Sequence, residues 1–151
     1  MIFTAFVSAS FSWAQSCPLC ASLVVKVDNI KKKGGILRIM LTKDKITFEE
    51  LDPDKIEPSK IYFKNSVVTA HEVIFEFPEI PAGRYAFKVF QDLNSNELLD
   101  TSLLGKPLEP FAMSKAEKYD SKKVLFEEAS FELKPRKRHV LKSRLFDFVK
   151  N

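Results

Sequence analysis

Apolar and polar residues alternate with a period of two along much of this chain. Leu23–Val27 places an apolar residue at every second position, and Leu37–Leu41 repeats the pattern after a lysine-rich turn and two glycines. A period of two is that of a β-strand, whose successive side chains point to opposite faces of a sheet. We therefore predict two strands here, joined as a hairpin.

Similar short patterns recur at regular spacing to the end of the chain. The segment 43–60 is rich in charges and proline, so it predicts a long surface loop with one helical turn at Phe48–Leu51. Ile61–Phe63 and Val67–Val68 are short apolar pieces. The other predicted strands are Val73–Phe77 ending at Pro78, Tyr85–Val89, Phe131–Leu133 and Val140–Phe148. About seven short strands favour an all-β, antiparallel sandwich.

The core of that sandwich is predicted from the inward positions of the strands. We place Tyr85–Val89 at the centre of a sheet, because its alternate residues are also partly apolar. The chain supplies 14 Phe, 8 Pro and only 4 Gly, which suits short strands between proline-marked turns. The residues predicted to be buried are Leu23, Val25, Val27, Leu37, Ile39, Phe75, Phe77, Tyr85, Phe87 and Val89.

The strand at Tyr85 runs directly into a loop with oxygen-bearing side chains at alternate positions. Calcium binds about six to eight oxygens, and short loops supply them from positions 1, 3, 5, 7 (through a backbone carbonyl) and 9. Counting from Asp92 predicts a possible calcium site. Its ligands would be Asp92, Asn94, Asn96, the carbonyl of Leu98, and Asp100.

Two positions of this loop depart from a tight calcium site. Glu97 replaces the glycine of position 6, and Leu103 replaces the bidentate carboxylate of position 12. The alternative is a hairpin connector in which Asp and Asn side chains accept hydrogen bonds from their own backbone. Both interpretations stay open at the level of sequence.

Three motifs in order carry a family resemblance. They are the strand and loop of residues 85–100, the Gly-Lys-Pro turn with the aromatic stretch after it, and the run Leu125–Leu133. Together they resemble the DUF2141 family, a numbered bacterial secreted domain of unknown function, over about residues 23–145. The resemblance implies an immunoglobulin-like or transthyretin-like β-sandwich, and it implies no catalytic residue.

The N-terminal segment has the composition of an export signal. No charge occurs before Lys26, and Ser12 and Ala14 provide small residues at the minus-three and minus-one positions before Gln15. We predict a signal peptide cleaved after Ala14 and a periplasmic or secreted protein, although a positive n-region is missing. The apolar run is interrupted by serines and is shorter than the ~20 residues of a membrane span, so the mature chain should contain no transmembrane segment.

The predicted domain organisation follows from that signal. Residues 1–21 form the signal peptide with a short N-terminal segment, and residues 22–151 form one sandwich domain, expected to be a monomer. Cys17 and Cys20 lie in the short segment as C-P-L-C. We expect a structural disulfide there in an oxidising compartment, with a thiol-active envelope protein as the alternative.

The end of the chain is basic. Residues 134–151 hold seven Lys or Arg and one Asp, against a net charge of +4 for the whole chain. Lys134 to Arg138 could bind anionic envelope polymers, lipid headgroups or nucleic acid, or could form a solvated turn that joins two edge strands. No aromatic residues are interleaved with these charges, so no nucleic-acid partner is expected.

The sequence offers little support for an enzyme. His71 and His139 are the only histidines, and neither stands in a metal-ligand or nucleophile motif. We therefore expect a non-enzymatic binding or structural module. Its ligand would be an unknown envelope or extracellular one, and calcium at the Asp/Asn loop is the only cofactor predicted.

Overall fold

The computed structural model describes residues 17–118 and 122–147, which form two β-sheets around a shared core. The eight strands are β1 (Cys20–Asp28), β2 (Ile36–Thr42), β3 (Ile61–Val67), β4 (Val73–Pro81), β5 (Gly83–Asp92), β6 (Phe111–Met113), β7 (Phe131–Leu133) and β8 (Arg138–Arg144). The helices are α1 (Lys45–Glu49) and α2 (Phe126–Ala129), with two 3-10 turns, Pro53–Lys55 and Pro58–Lys60. The predicted signal peptide and its cleavage site after Ala14 lie outside the described residues.

The smaller sheet has the order β4-β1-β8, and the larger has the order β3-β2-β5-β6 with β7 also paired to β5. The predicted all-β sandwich is confirmed. The pairing is antiparallel except between β1 and β8, which run parallel. The parallel pair brings the last described strand of the chain beside the first, so the basic strand β8 lies at an edge of the smaller sheet.

The predicted hairpin of the first two strands is wrong. β1 pairs with β4 and β8, whereas β2 pairs with β3 and β5, so the two strands belong to opposite sheets. The connector at residues 29–35 carries the chain across the sandwich. Gly35 has a φ of +69°, and a Cβ there would collide with the carbonyl oxygen of Asp92, so glycine is the residue that fits this crossing.

Several predicted strand boundaries also differ. β4 continues past Pro78 to Pro81, because the register shifts near Pro78 and the strand forms a bulge that tolerates a residue without an N–H. The last described strand starts at Arg138 and ends at Arg144, earlier than predicted at both ends. The predicted helical turn is present as α1, three residues earlier than expected.

The predicted core is confirmed, since all ten predicted residues are buried. β5 is central in the larger sheet, with β2 on one side and β6 and β7 as further partners. A second, smaller cluster lies under the two helices on the outer side of that sheet. It contains Phe48, Ala86, Phe111, Met113, Phe126 and Ala129. With both faces covered, β5 is a rigid base for the loop that begins at its end.

Candidate functional site at the loop after β5

The Asp/Asn loop begins where β5 ends, at Asp92, and leads towards β6. Its two arms are held together by backbone hydrogen bonds. Leu108 N–H donates to the Asp100 carbonyl and Gln91 N–H donates to the Pro110 carbonyl, both at 2.8 Å, and Thr101 and Pro107 form an isolated bridge. The loop is therefore a closed extension of the larger sheet.

Asp92 is fully buried and its two carboxylate oxygens are occupied by donors of the protein. Oδ1 accepts from the Ser95 N–H at 2.7 Å, and Oδ2 accepts from the Glu97 N–H at 3.1 Å and from Arg38 Nε at 2.8 Å. Burial raises the pKa of Asp92, but the Arg38 hydrogen bond and the two backbone amides outweigh it. The net pKa lies below that of an ordinary aspartate.

Arg38 on β2 supplies the positive charge beside this loop. Its side chain is 5% exposed, and Nη2 lies 3.4 Å from Glu97 Oε1 in addition to the contact with Asp92. A guanidinium thus contacts the carboxylates of loop positions 1 and 6. No motif in the sequence points to Arg38, because its partner lies 54 residues away.

Asn94, Asn96 and Asp100 meet on the exposed side of the loop. The amide nitrogens of Asn94 and Asn96 donate to Asp100 Oδ2 and Oδ1, at 2.7 and 2.9 Å. The amide oxygens accept from backbone N–H groups two residues further on, at 3.1 Å from Asn96 and 3.0 Å from Leu98. The structure brings these three predicted ligands together, but with each other and the backbone as partners.

The backbone of the loop is left-handed at Ser95 (φ 63°) and Glu97 (φ 68°). Such a conformation costs a residue with a Cβ about 1–2 kcal/mol relative to the right-handed one. Glu97 adopts the turn that a glycine would make at position 6, and its backbone N–H donates to Asp92 while its carboxylate approaches Arg38. These contacts hold the strained residue in place.

Glu109 is a site residue that sequence reasoning missed. Its Oε1 accepts from the Leu93 N–H at 2.7 Å and its Oε2 from the Asp100 N–H at 3.3 Å, so it joins the start of the loop to its end. Burial raises the pKa of Glu109; the backbone bonds oppose this, and the nearby carboxylates of Asp100 and Asp92 add to it. Glu109 lies nine residues after Asp100, and no motif in the sequence links it to the loop.

The oxygen atoms of the loop are not arranged around a common point that calcium could occupy. Within residues 17–118 and 122–147, no group of three or more His, Cys, Asp or Glu side chains is arranged to hold a metal ion. Calcium would need the amides of Asn94 and Asn96 to turn their oxygens towards it, since their nitrogens now contact Asp100. It would also have to share Asp92 with a guanidinium. The present arrangement is that of the self-bonded connector, and calcium binding stays a prediction.

The far end of the loop is apolar and exposed. Leu103 and Leu104 are essentially fully exposed at a turn closed by hydrogen bonds from Ser102 N–H to the Lys106 carbonyl and from Gly105 N–H to the Ser102 carbonyl, each 2.8 Å. Leu98 and Leu108 are half exposed nearby in sequence. These leucines contribute nothing to the core, and the sequence pattern gave no indication of their exposure.

Cys17 and Cys20 form a disulfide at the start of β1. Cys20 N–H donates to the Cys17 carbonyl at 3.1 Å, and the Cys20 carbonyl accepts from the Arg136 N–H at 2.7 Å. Arg136 Nε also donates to the Pro18 carbonyl at 3.3 Å. The bridged segment is thus attached to the basic turn before β8, and it precedes a strand rather than a helix.

The two histidines and Lys88 make contacts that link parts of the fold. His71 Nδ1 lies 2.7 Å from the Ile30 carbonyl, and His139 Nε2 accepts from the Lys134 N–H at 2.9 Å. Lys88 on β5 lies over the Phe48 ring, 5.0 Å from its centroid, and donates to the Glu50 carbonyl at 3.2 Å. Burial, together with the nearby positive charge of Lys123, lowers the pKa of Lys88 to about 8.

Two sheets and a closed loop define a small all-β sandwich domain. A family model described as "Uncharacterized protein conserved in bacteria (DUF2141)" matches residues 25–140, and the chain belongs to that family. The resemblance predicted from the three motifs is confirmed. No curated protein and no solved structure matches the chain. Among the described helices, none has the length and apolar character required to cross a membrane.

Proposed function

We propose that this protein is an exported, non-enzymatic β-sandwich that acts as a binding or structural module in the periplasm or outside the cell. One observation carries the proposal: the described ionisable groups with the most perturbed surroundings all hold parts of the fold. Asp92 pairs with Arg38, Lys88 lies against Phe48, and the Tyr85 hydroxyl donates to the Pro81 carbonyl at 2.9 Å. Groups used in this way are not available as acids, bases or nucleophiles.

Two further features support the proposal. A disulfide such as Cys17–Cys20 persists in oxidising compartments, so it favours export. The uncharged N-terminal segment has the small residues of a cleavage site before Gln15. Both features are typical of a protein that is exported across the cytoplasmic membrane.

The loop after β5 acts in this proposal as a rigid connector. Arg38 provides the positive charge beside Asp92, and the amide groups of Asn94 and Asn96 donate hydrogen bonds to both carboxylate oxygens of Asp100. These bonds support the connector interpretation over a calcium-stabilised loop. Any calcium effect would be weak, because only two of the predicted ligands are full carboxylates.

Cell fractionation tests the proposal. The full-length chain with a C-terminal tag should appear in the extracytoplasmic fraction of its native host, whereas a variant lacking residues 2–14 should stay in the cytoplasm. Equal amounts of both chains in the cytoplasm would contradict export. The deletion is a matched control, because it removes the predicted signal and leaves the described domain intact.

A second candidate function is a thiol-active envelope protein. The observation that favours it is the hydrogen bond from Arg136 Nε to the Pro18 carbonyl, which attaches a cation to the segment that carries both sulfurs. A cation that reaches a sulfur stabilises its thiolate. Alkylation of exported protein under non-reducing conditions separates the two candidates. A structural disulfide leaves both cysteines unmodified in nearly every molecule, whereas an active pair yields a reduced fraction that falls in Arg136→Gln.

A further inference from the structure

The outer face of the smaller sheet carries a line of positive charge. On β8, alternation places Ser143 in the interior and leaves Arg138, Val140, Lys142 and Arg144 exposed. Lys26 on the adjacent β1 lies on the same face, half exposed. We name Lys26, Arg138, Lys142 and Arg144 the basic stripe.

The centre of the basic stripe is a pair of like charges. The parallel register places Lys26 directly opposite Lys142, and the antiparallel register places the apolar Ile74 on the other side of Lys26. Like charges directly opposite on neighbouring strands destabilise a sheet. The row formed by Ile74, Lys26 and Lys142 contains no carboxylate that could neutralise the two lysines. Their repulsion therefore lowers the stability of the folded sheet.

Three carboxylates also lie on this face: Glu76 and Glu79 of β4 are exposed, and Asp28 of β1 is half-buried. Arg138 Nη2 lies 3.8 Å from Glu76 Oε1, and Asp28 is the register partner of Arg144. Exposed pairs of this kind are weak and are readily exchanged for another anion. The two ends can therefore also contact a ligand that binds the central lysines.

Further cations lie in the turn before β8 and in the connector after β1. Lys134, Arg136 and Lys137 lie exposed in the turn before it. Lys31, Lys32 and Lys33 belong to the β1–β2 connector, which Asn29 Nδ2 attaches to the Leu145 carbonyl at 2.7 Å just after β8. The seven residues of β8 alone span about 20 Å, with the outward side chains about 6.6 Å apart.

The shape and composition of this face favour one class of ligand. The outward residues between the charges are aliphatic, with Ile74 and Val140 each 49% exposed, and none of the outward residues described on β1, β4 or β8 is aromatic. Single-stranded nucleic acid is bound with aromatic stacking. Stable attachment to a membrane surface combines cations with a large apolar face that inserts among the lipids. Among the outward residues described on these three strands, Ile74 and Val140 are the large aliphatic side chains that are exposed. A row of cations with so little apolar surface better matches a linear chain with regularly spaced anions.

We infer that the basic stripe is the binding surface for a linear anionic polysaccharide, a class of polymer met by an exported protein. The inference rests on the proposed function, because such polymers lie outside the cytoplasm. Lys26 and Lys142 bind neighbouring anionic groups at the centre, and Arg138 and Arg144 bind groups on either side. Binding relieves the repulsion between the two central lysines.

Titration with polygalacturonate, a linear polymer of carboxylated sugars, tests the inference. The double variant K26Q/K142Q should lose about tenfold in affinity at low ionic strength, as expected for two exposed charge contacts. The control K43Q/K118Q removes two exposed lysines outside this face and should bind as the wild type does. Wild-type binding should also weaken as salt is added.

The same titration includes two competing ligands. Single-stranded DNA and vesicles containing phosphatidylglycerol should both bind more weakly than polygalacturonate. Tighter binding of either one, equal binding of the wild type and K26Q/K142Q, or no binding of polygalacturonate by the wild type would overturn the inference. Cell fractionation tests export independently of polymer binding. A protein that is exported but does not bind polygalacturonate would therefore overturn this inference and leave the proposed function standing.

Thermal unfolding separates lost contacts from lost structure. Lys26→Gln should leave the melting temperature unchanged or raise it, because it removes a like-charge pair from a folded sheet. A lower melting temperature for K26Q would show that Lys26 is required for the fold. It would overturn the claim that repulsion between Lys26 and Lys142 destabilises the folded protein.

Discussion

Arg38 Nε lies 2.8 Å from Asp92 Oδ2, and the two side chains are 5% and 0% exposed. The ion pair joins β2 to the end of β5, where the loop starts. It places a fixed positive charge beside Asp92, the first of the predicted calcium ligands. The order of the loop therefore depends on this pair, and the pair can be tested by removing either partner.

Arg38→Gln should destabilise the protein by roughly 3–5 kcal/mol, because it leaves the buried Asp92 carboxylate without its counter-charge. Urea unfolding followed by circular dichroism measures the loss. The matched control is Lys45→Gln, which breaks the exposed ion pair with Glu127 and should leave the midpoint unchanged. Equal, small effects of the two substitutions would show that the Arg38 pair contributes little.

The acid limb of the stability curve should depend on Asp92. Its folded-state pKa is lowered, so its contribution is present above the unfolded value of about 3.9 and is lost as pH falls through the folded value. Stability of the wild type should therefore fall below about pH 4. Asp92→Asn should be less stable at neutral pH and should lose less of its remaining stability on acidification. A parallel decline in both proteins would contradict the pKa assignment.

Lys88 should make the stability of the protein depend on pH on the alkaline side. Its folded-state pKa is about 8, below the ordinary lysine value of about 10.4, so the unfolded chain binds more protons between these values. Stability should rise as pH increases from about 8 towards 10. Lys88→Met should be more stable than the wild type near neutral pH and should lose this rise, whereas Lys43→Gln should keep it. A Lys88→Met protein with the wild-type slope would exclude Lys88 as its source.

Millimolar calcium should leave the melting temperature unchanged relative to the same concentration of magnesium. The reason is that Asp92 and Asp100 already receive hydrogen bonds from Arg38, Asn94 and Asn96. Differential scanning calorimetry is the measurement. A calcium-specific rise that disappears in Asp100→Ala would instead establish the ion-binding loop, since an ion bound only by the folded state stabilises it by mass action.

The sequence predicted the strands and the core better than it predicted their pairing. Alternation at Leu23–Val27 and Leu37–Leu41 identifies two strands, but it contains no information on which edges bond, so the crossing between sheets was missed. The sheet face of a residue follows from its neighbours in sequence. Its strand partner depends on residues far along the chain.

The candidate site was predicted only in part for the same reason. The spacing from Asp92 to Asp100 is shared by ion-binding loops and self-bonded turns, and the choice depends on Arg38 and Glu109, which lie outside the motif. Lys26 and Lys142 likewise become neighbours only through the parallel pairing of β1 and β8. These contacts have no local signature in the sequence.

The intact mass of the protein recovered from the extracytoplasmic fraction of its native host tests the central claim most directly. An exported, disulfide-closed domain should give a chain that begins at Gln15, with a mass lower by two hydrogens that reduction restores at Cys17 and Cys20. A cytoplasmic chain that retains Met1 and carries two free thiols would contradict the account.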